Sequence, residues 1–121
     1  MHFALSTREL GSGIVAVEVA GEVDLYSAPE LGRALDAAID RGSRRLLVDL
    51  SGTTFIDSTA LGVLIGALKR LRPYGGELAI ACLEQSVRTV FELTHLDRSL
   101  PLFATCAEAQ DYLRASAAPE K

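Results

Sequence analysis

Apolar positions along the chain change their period several times, and each change marks an element. Over Ile14–Ala20, Val15, Val17 and Val19 alternate with Ala16, Glu18 and Ala20, which is the two-residue period of a strand. Phe3–Leu10 carries a weaker strand pattern, and Gly11-Ser12-Gly13 between the two reads as a tight turn, so a hairpin is expected. From Ser27 the period becomes helical. Leu31, Ala34, Leu35, Ala38 and Ile39 form a stripe, Ser27 and Glu30 match a capping box with Pro29 in the first turn, and Gly42 stops the helix. Arg45–Leu50 (RLLVDL) is almost continuously apolar, as expected of a strand covered on both faces. A second helix is expected over Ser58–Arg72, with a core stripe of Leu61, Leu64, Ile65, Leu68 and Leu71, closed by Pro73 and Gly75-Gly76. Glu77–Ala81 reads as another buried strand, and Gln85–Leu93 as a short helix with Val87, Val90 and Phe91 inward. Leu100–Phe103 is a last short strand, and Thr105 with Glu108 opens a helix to about Ala115.

The order is β-β-α-β-α-β-α-β-α. It predicts an α/β fold: one compact domain over residues 1–116, with a mixed, mostly parallel sheet, right-handed crossovers and about four packed helices. Residues 117–121 read as a flexible tail.

Composition narrows the function classes. A chain of 121 residues with 49% hydrophobic and 23% charged residues suits one buried core. The net charge of −4, with no basic block longer than Arg44-Arg45 or Lys69-Arg70 and no Trp, argues against direct binding to nucleic acid. Leu61–Leu68 is too short to span a membrane, and the first residues lack the pattern of a secretory leader, so a cytoplasmic protein is expected. Cys82 and Cys106 show no CxxC spacing and no metal pattern with His2 or His95; two reduced thiols and no cofactor are expected. Nucleotide-binding glycine loops and GxSxG are absent, and Asp24, Asp49 and Asp57 lack metal-ligand spacing, which weighs against an enzyme.

One junction stands out: Asp57-Ser58-Thr59, between two apolar runs. Asp, Ser and Thr are preferred helix caps, and capping alone accounts for the triplet. A modified serine is the other reading. Counting by fours from Ser58 reaches Gly62 and Gly66, so the three share one ridge of the helix. Each interior glycine costs about 1 kcal/mol relative to Ala. Close packing against a neighbouring helix would offset this, and so would an exposed track for a partner's backbone, bordered by Val63 and Ala67. Phosphorylation of Ser58 would add a charge of about −1.5 to −2. A helix N-terminus tolerates that charge, whereas a partner matched to a neutral hydroxyl would lose about a hundredfold in affinity.

The sequence resembles the STAS family, in particular the bacterial anti-sigma factor antagonists. The resemblance rests on Gly21-Glu22-Val23-Asp24, the strand Leu46–Leu50, the signature Phe55–Leu64, Gly75-Gly76-Glu77-Leu78, and Val87–Leu93. It implies a partner-switching cycle. The unphosphorylated protein binds an ATP-using serine kinase that is also an anti-sigma factor, and so frees a sigma factor. Phosphorylation then releases the kinase, and a phosphatase resets the switch. By resemblance the phosphorylated residue is Ser58, or less commonly Thr59. Glu22, Asp24, Asp57, Gly62, Val63 and Gly66 would line the partner side. The family's usual Gly is replaced by Ala60. Other members are accessory subunits of transport assemblies that are never phosphorylated, which is the alternative reading.

Overall fold

The computed structural model describes residues 3–116. The expected tail at 117–121 lies outside them. The elements run β1 (Phe3–Gly11), β2 (Ile14–Val23), α1 (Ala28–Asp40), β3 (Arg45–Ile56), α2 (Ser58–Leu71), β4 (Glu77–Ala81), α3 (Gln85–Leu93), β5 (Leu102–Phe103) and α4 (Cys106–Ser116), with short 3-10 turns at Arg72–Tyr74 and Leu96–Arg98. The strands lie in the order β1-β2-β3-β4-β5. β1 pairs antiparallel with β2, and every later pair is parallel. The mixed α/β sheet and its four helices are those the sequence predicts.

Alternation along each strand divides the apolar side chains between two faces. Val15, Val17, Val19, Leu46, Val48, Leu50, Leu78 and Ile80 face α1, α2 and α3 and form the main core. Ile14, Ala16, Leu47, Ala79 and Ala81 point the other way, onto Ala109 and Leu113 of α4. β3 and β4 are therefore covered on both faces, which explains their near-continuous apolar runs. The helices stay amphipathic because each buries one stripe only. Arg70 of α2 bridges to Asp36 and Asp40 of α1, at 2.8 Å each. All three side chains are exposed, so these ion pairs set the helix pairing more than they stabilise it.

β2 and β3 outrun the pattern, and β5 falls short of it. β2 continues past Ala20 to Val23. β3 runs on to Ile56 instead of ending at Leu50. Between Glu18 and Glu22 of β2, the facing segment of β3 carries two extra residues, taken up in two bulges, so Gly21 faces Thr53 while Glu22 faces Phe55. Thr53 is buried there and donates its hydroxyl to the Val19 carbonyl at 3.2 Å. β5 is shorter than expected, since Leu100 is buried in the core ahead of the strand. The capping box at Ser27 does not form. Ser27 holds the cap position of α1 without capping it through its side chain, for a reason given below.

Gly76, before β4, shows why a glycine is required at one connection. A Cβ there would sit 2.6 Å from the Arg44 carbonyl oxygen and 3.1 Å from Leu71. The chain enters β4 in contact with the start of β3, where Glu77 N–H donates to the same Arg44 carbonyl at 2.8 Å.

Candidate functional site

Because β2, β3 and β4 are parallel, their C-terminal ends meet at one end of the sheet, the place where α/β folds present binding groups. Two connections lie side by side there. One joins β2 to α1 through Asp24-Leu25-Tyr26-Ser27. The other joins β3 to α2 through Asp57 alone. They are tied together, because Asp57 N–H donates to the Val23 carbonyl at 3.2 Å.

Asp57 is the N-cap of α2. Its backbone is extended and its Oδ1 accepts the Ala60 N–H at 3.1 Å. The next residues divide according to the helix period. Ser58 is exposed, Thr59 is half-buried and Ala60 is fully buried. The methyl of Ala60 thus fills the core and leaves the surface beside Ser58 unchanged.

Further along the same ridge, Gly62 and Gly66 are both exposed, and a Cβ built on either meets nothing within 4 Å. Close packing among the described residues therefore does not account for the two glycines. Val63 leans toward α1, where a Cβ at Gly32 would meet its Cγ1 at 3.5 Å. Ala67 does not border the ridge as the sequence suggests. It is 3% exposed and belongs to the main core, because α1 packs across a wider face of α2 than the leucine stripe marks.

The neighbouring turn is held by its own polar groups. Asp24 Oδ1 accepts the N–H groups of Tyr26 at 2.9 Å and Ser27 at 3.1 Å. Ser27 Oγ accepts the Asp24 N–H at 2.9 Å and directs its proton at the Glu22 carbonyl at 2.8 Å, with Asp24 Oδ1 farther off at 3.2 Å. The hydroxyl expected to cap α1 is thus used one step earlier, to close the turn. The Ser27 N–H, followed by those of Tyr26 and other turn groups, holds the Asp24 carboxyl below the usual carboxylate range, with partial desolvation opposing. Glu22 is half-buried at the end of β2, across from Phe55.

The sequence reading missed the apolar side of this end. Leu25 is 59% exposed, Tyr26 88% and Phe55 48%. The available signal was two apolar residues inside a connection bounded by Asp24 and Ser27. Ser58 has no hydrogen-bonded histidine or carboxylate among the described residues, and these hold no group of three or more His, Cys, Asp or Glu placed to bind a metal. No described helix is long and apolar enough to cross a membrane.

The STAS domain family model matches residues 8–109. The chain belongs to the STAS domain family. An anti-sigma-B factor antagonist of Listeria monocytogenes is 34% identical over 96 residues, covering 79% of this chain and 84% of the relative. The crystal structure of an anti-sigma factor antagonist from Mycobacterium paratuberculosis superposes with a TM-score of 0.86 at 27% identity, over 93% of this chain and 95% of that one. A Bacillus cell fate determinant solved in its phosphorylated form shares the fold, with a TM-score of 0.70 at 22% identity, over 90% and 98% of the two chains. In this STAS domain the residues singled out from the sequence fall on two adjoining connections and one helix ridge. Ser58, Gly62 and Gly66 follow one line along α2, Asp57 caps its start, and Glu22 and Asp24 lie beside it.

Proposed function

We propose that this STAS domain is an anti-sigma factor antagonist switched at Ser58. Unphosphorylated, it binds an ATP-binding anti-sigma factor that is also a serine kinase, and so releases a sigma factor. The kinase then modifies it. Ser58 Oγ attacks the γ-phosphorus of ATP, an Oγ–P bond forms and the bond to the bridging oxygen of ADP breaks. The serine proton passes to a base on the kinase, and ADP leaves. Water later attacks the phosphorus at a phosphatase, releasing inorganic phosphate and restoring the hydroxyl. The STAS domain is the phosphoryl acceptor throughout and supplies no catalytic group. An ATP-fuelled cycle on a sigma factor belongs in the cytoplasm, without direct contact to DNA or membrane.

The observation that carries this reading is the ridge of α2: an exposed serine at the helix N-terminus continued by two exposed glycines that no part of the described chain covers. A partner's backbone can approach along that ridge as far as Ser58. A phosphate there would face first-turn N–H groups at the positive end of the helix, beside the opposing charge of Asp57, so the fold tolerates it. A partner seated on the ridge would have to bury the added charge. Titration calorimetry with the host's purified ATP-binding anti-sigma factor tests the reading. Ser58→Ala binds as wild type and stays bound in ATP, while Ser58→Glu binds about a hundredfold more weakly. With ATP, wild type gains one phosphoryl group by mass and Ser58→Ala gains none; an equal gain by both would move the site to Thr59. Equal binding by wild type and Ser58→Glu would instead favour a permanent subunit of a larger assembly.

A further inference from the structure

We propose that Leu25 and Tyr26 are a preformed apolar anchor for the same anti-sigma partner, gripping it independently of the phosphorylation state of Ser58, with Asp24 as the residue that positions them. The inference rests on the antagonist reading above and assigns a division of labour within it: the α2 ridge senses phosphate and the β2–α1 turn supplies grip.

Three observations carry it. First, the turn is rigid before any partner arrives. Asp24 Oδ1 and Ser27 Oγ take its N–H groups, and the Ala28 N–H donates to the Asp24 carbonyl at 2.8 Å. The ordering entropy of this loop is spent in folding, so a contact through it binds with less loss than one through a mobile loop. Second, that rigidity gains the folded chain no burial for the two side chains it carries, at 59% and 88% exposure, while Phe55 adds a third exposed apolar group on the strand next to Glu22. Single exposed apolar residues are ordinary, but consecutive ones displayed by a hydrogen-bonded turn beside a candidate site form a patch. Aromatic anchors of this kind dominate the energetics of interfaces.

Third, the charge around the patch selects the occupant. The chain has no Lys or Arg between residues 9 and 32 or between residues 46 and 68. Glu22 stands at the end of β2, Asp57 stands at the other connection and Glu30 is exposed in the first turn of α1, while the Asp24 carboxylate is taken up by the turn itself. The rim of the patch is thus acidic. It fits a partner that presents an apolar pocket rimmed by Lys or Arg, and its continuity with the α2 ridge through the Asp57–Val23 hydrogen bond makes that partner the one on the ridge. The anchor stands on a different connection from Ser58, so it stays in place when Ser58 is phosphorylated. It would hold the kinase long enough for transfer and contribute the affinity that the phosphate then overcomes.

The test is a set of affinities of the full chain for the purified host anti-sigma factor, with folding checked by circular dichroism and urea unfolding. Tyr26→Ala is expected to weaken binding at least tenfold with unchanged stability, and Tyr26→Phe to bind as wild type. Combined with Ser58→Glu, the fold-losses multiply, as for independent contacts. Leu93→Ala, also at an exposed leucine (76%) but at the far end of α3, leaves affinity unchanged. Asp24→Asn keeps an acceptor for the turn and retains binding, whereas Asp24→Ala loses it. If Tyr26→Ala binds as tightly as wild type while Ser58→Glu does not, the anchor is wrong and the switch stands. If wild type itself does not bind, the antagonist reading fails and takes the anchor with it. If Asp24→Asn loses as much as Asp24→Ala, the Asp24 charge touches the partner directly and the positioning role is overturned.

Discussion

The Asp57 N–H donates to the Val23 carbonyl at 3.2 Å, and this one bond sets the start of α2 against the start of the 24–27 turn. The same residue caps the helix through Oδ1. Its side chain and its backbone therefore do separate jobs, and substitution separates them. Asp57→Ala removes the cap but keeps the backbone bond. It should lower stability by about 1 kcal/mol, read by urea unfolding. Asp57→Asn keeps an oxygen at the cap and should cost only a few tenths of a kcal/mol. A loss in Asp57→Asn as large as in Asp57→Ala would mean that charge, not capping, is what the helix needs there.

Gly62 and Gly66 give a prediction in the opposite direction. Both lie inside α2, and the position of an added methyl is empty at each. Gly62→Ala and Gly66→Ala should each stabilise the domain by about 1 kcal/mol, because alanine restricts the unfolded chain and favours the helix. The same methyls stand on the ridge, so affinity for the anti-sigma factor should fall as stability rises. Thermal unfolding and calorimetry on the same preparations read both quantities. A stabilised variant with unchanged affinity would remove the ridge from the interface.

The alternation and helix periods made most of this fold legible. β4 and α3 begin and end at the expected residues because each is an uninterrupted apolar pattern bounded by turn residues. The apolar pattern of β3 ends at Leu50 because the rest of the strand, Ser51-Gly52-Thr53-Thr54, breaks the run. It stays a strand because bulges keep it paired with β2 and Thr53 satisfies its buried hydroxyl on Val19. Ser27 misled in another way. A serine two residues before Pro29 fits a capping box, and nothing in the pattern shows that Asp24 and Glu22 take the hydroxyl first. Exposure at the site was the least legible feature. Ser58 and Gly62 followed from the period of α2, but the display of Leu25 and Tyr26 depends on a hydrogen-bonded turn that composition does not encode.

Gly76 supplies a test of the connection into β4. A Cβ at this position would lie 2.6 Å from a backbone oxygen, which cannot swing aside as a flexible side chain could. Gly76→Ala should cost about 2–3 kcal/mol by displacing β4 from Arg44 or Leu71. Gly75→Ala meets no neighbour within 4 Å and pays only for its left-handed backbone, at φ +71°, about 1 kcal/mol. Urea midpoints of the two variants should therefore separate clearly. Equal midpoints would show that the entry to β4 shifts without cost.

Cys106 opens α4 on the second face of the sheet, and burial, followed by the nearby Asp49 carboxylate, pushes its thiol up to about 11. The ordinary value is 9.0, so the folded state favours the neutral thiol. That contribution is whole below the unfolded pKa and is lost as pH rises through the folded one. Two outcomes follow. Iodoacetamide, which reacts with thiolate, should label Cys106 slowly at about pH 8 in the folded protein and rapidly in urea. Wild type should also lose more stability than Cys106→Ser between pH 9.0 and about 11, a difference that cancels the titration of the lysine and tyrosine residues shared by both. Peptide mapping of the labelled protein separates Cys106 from Cys82, whose thiol is likewise raised, chiefly by burial. Fast labelling of folded Cys106 at pH 8 would place its sulfur in solvent and remove it from the packing between α4 and the sheet.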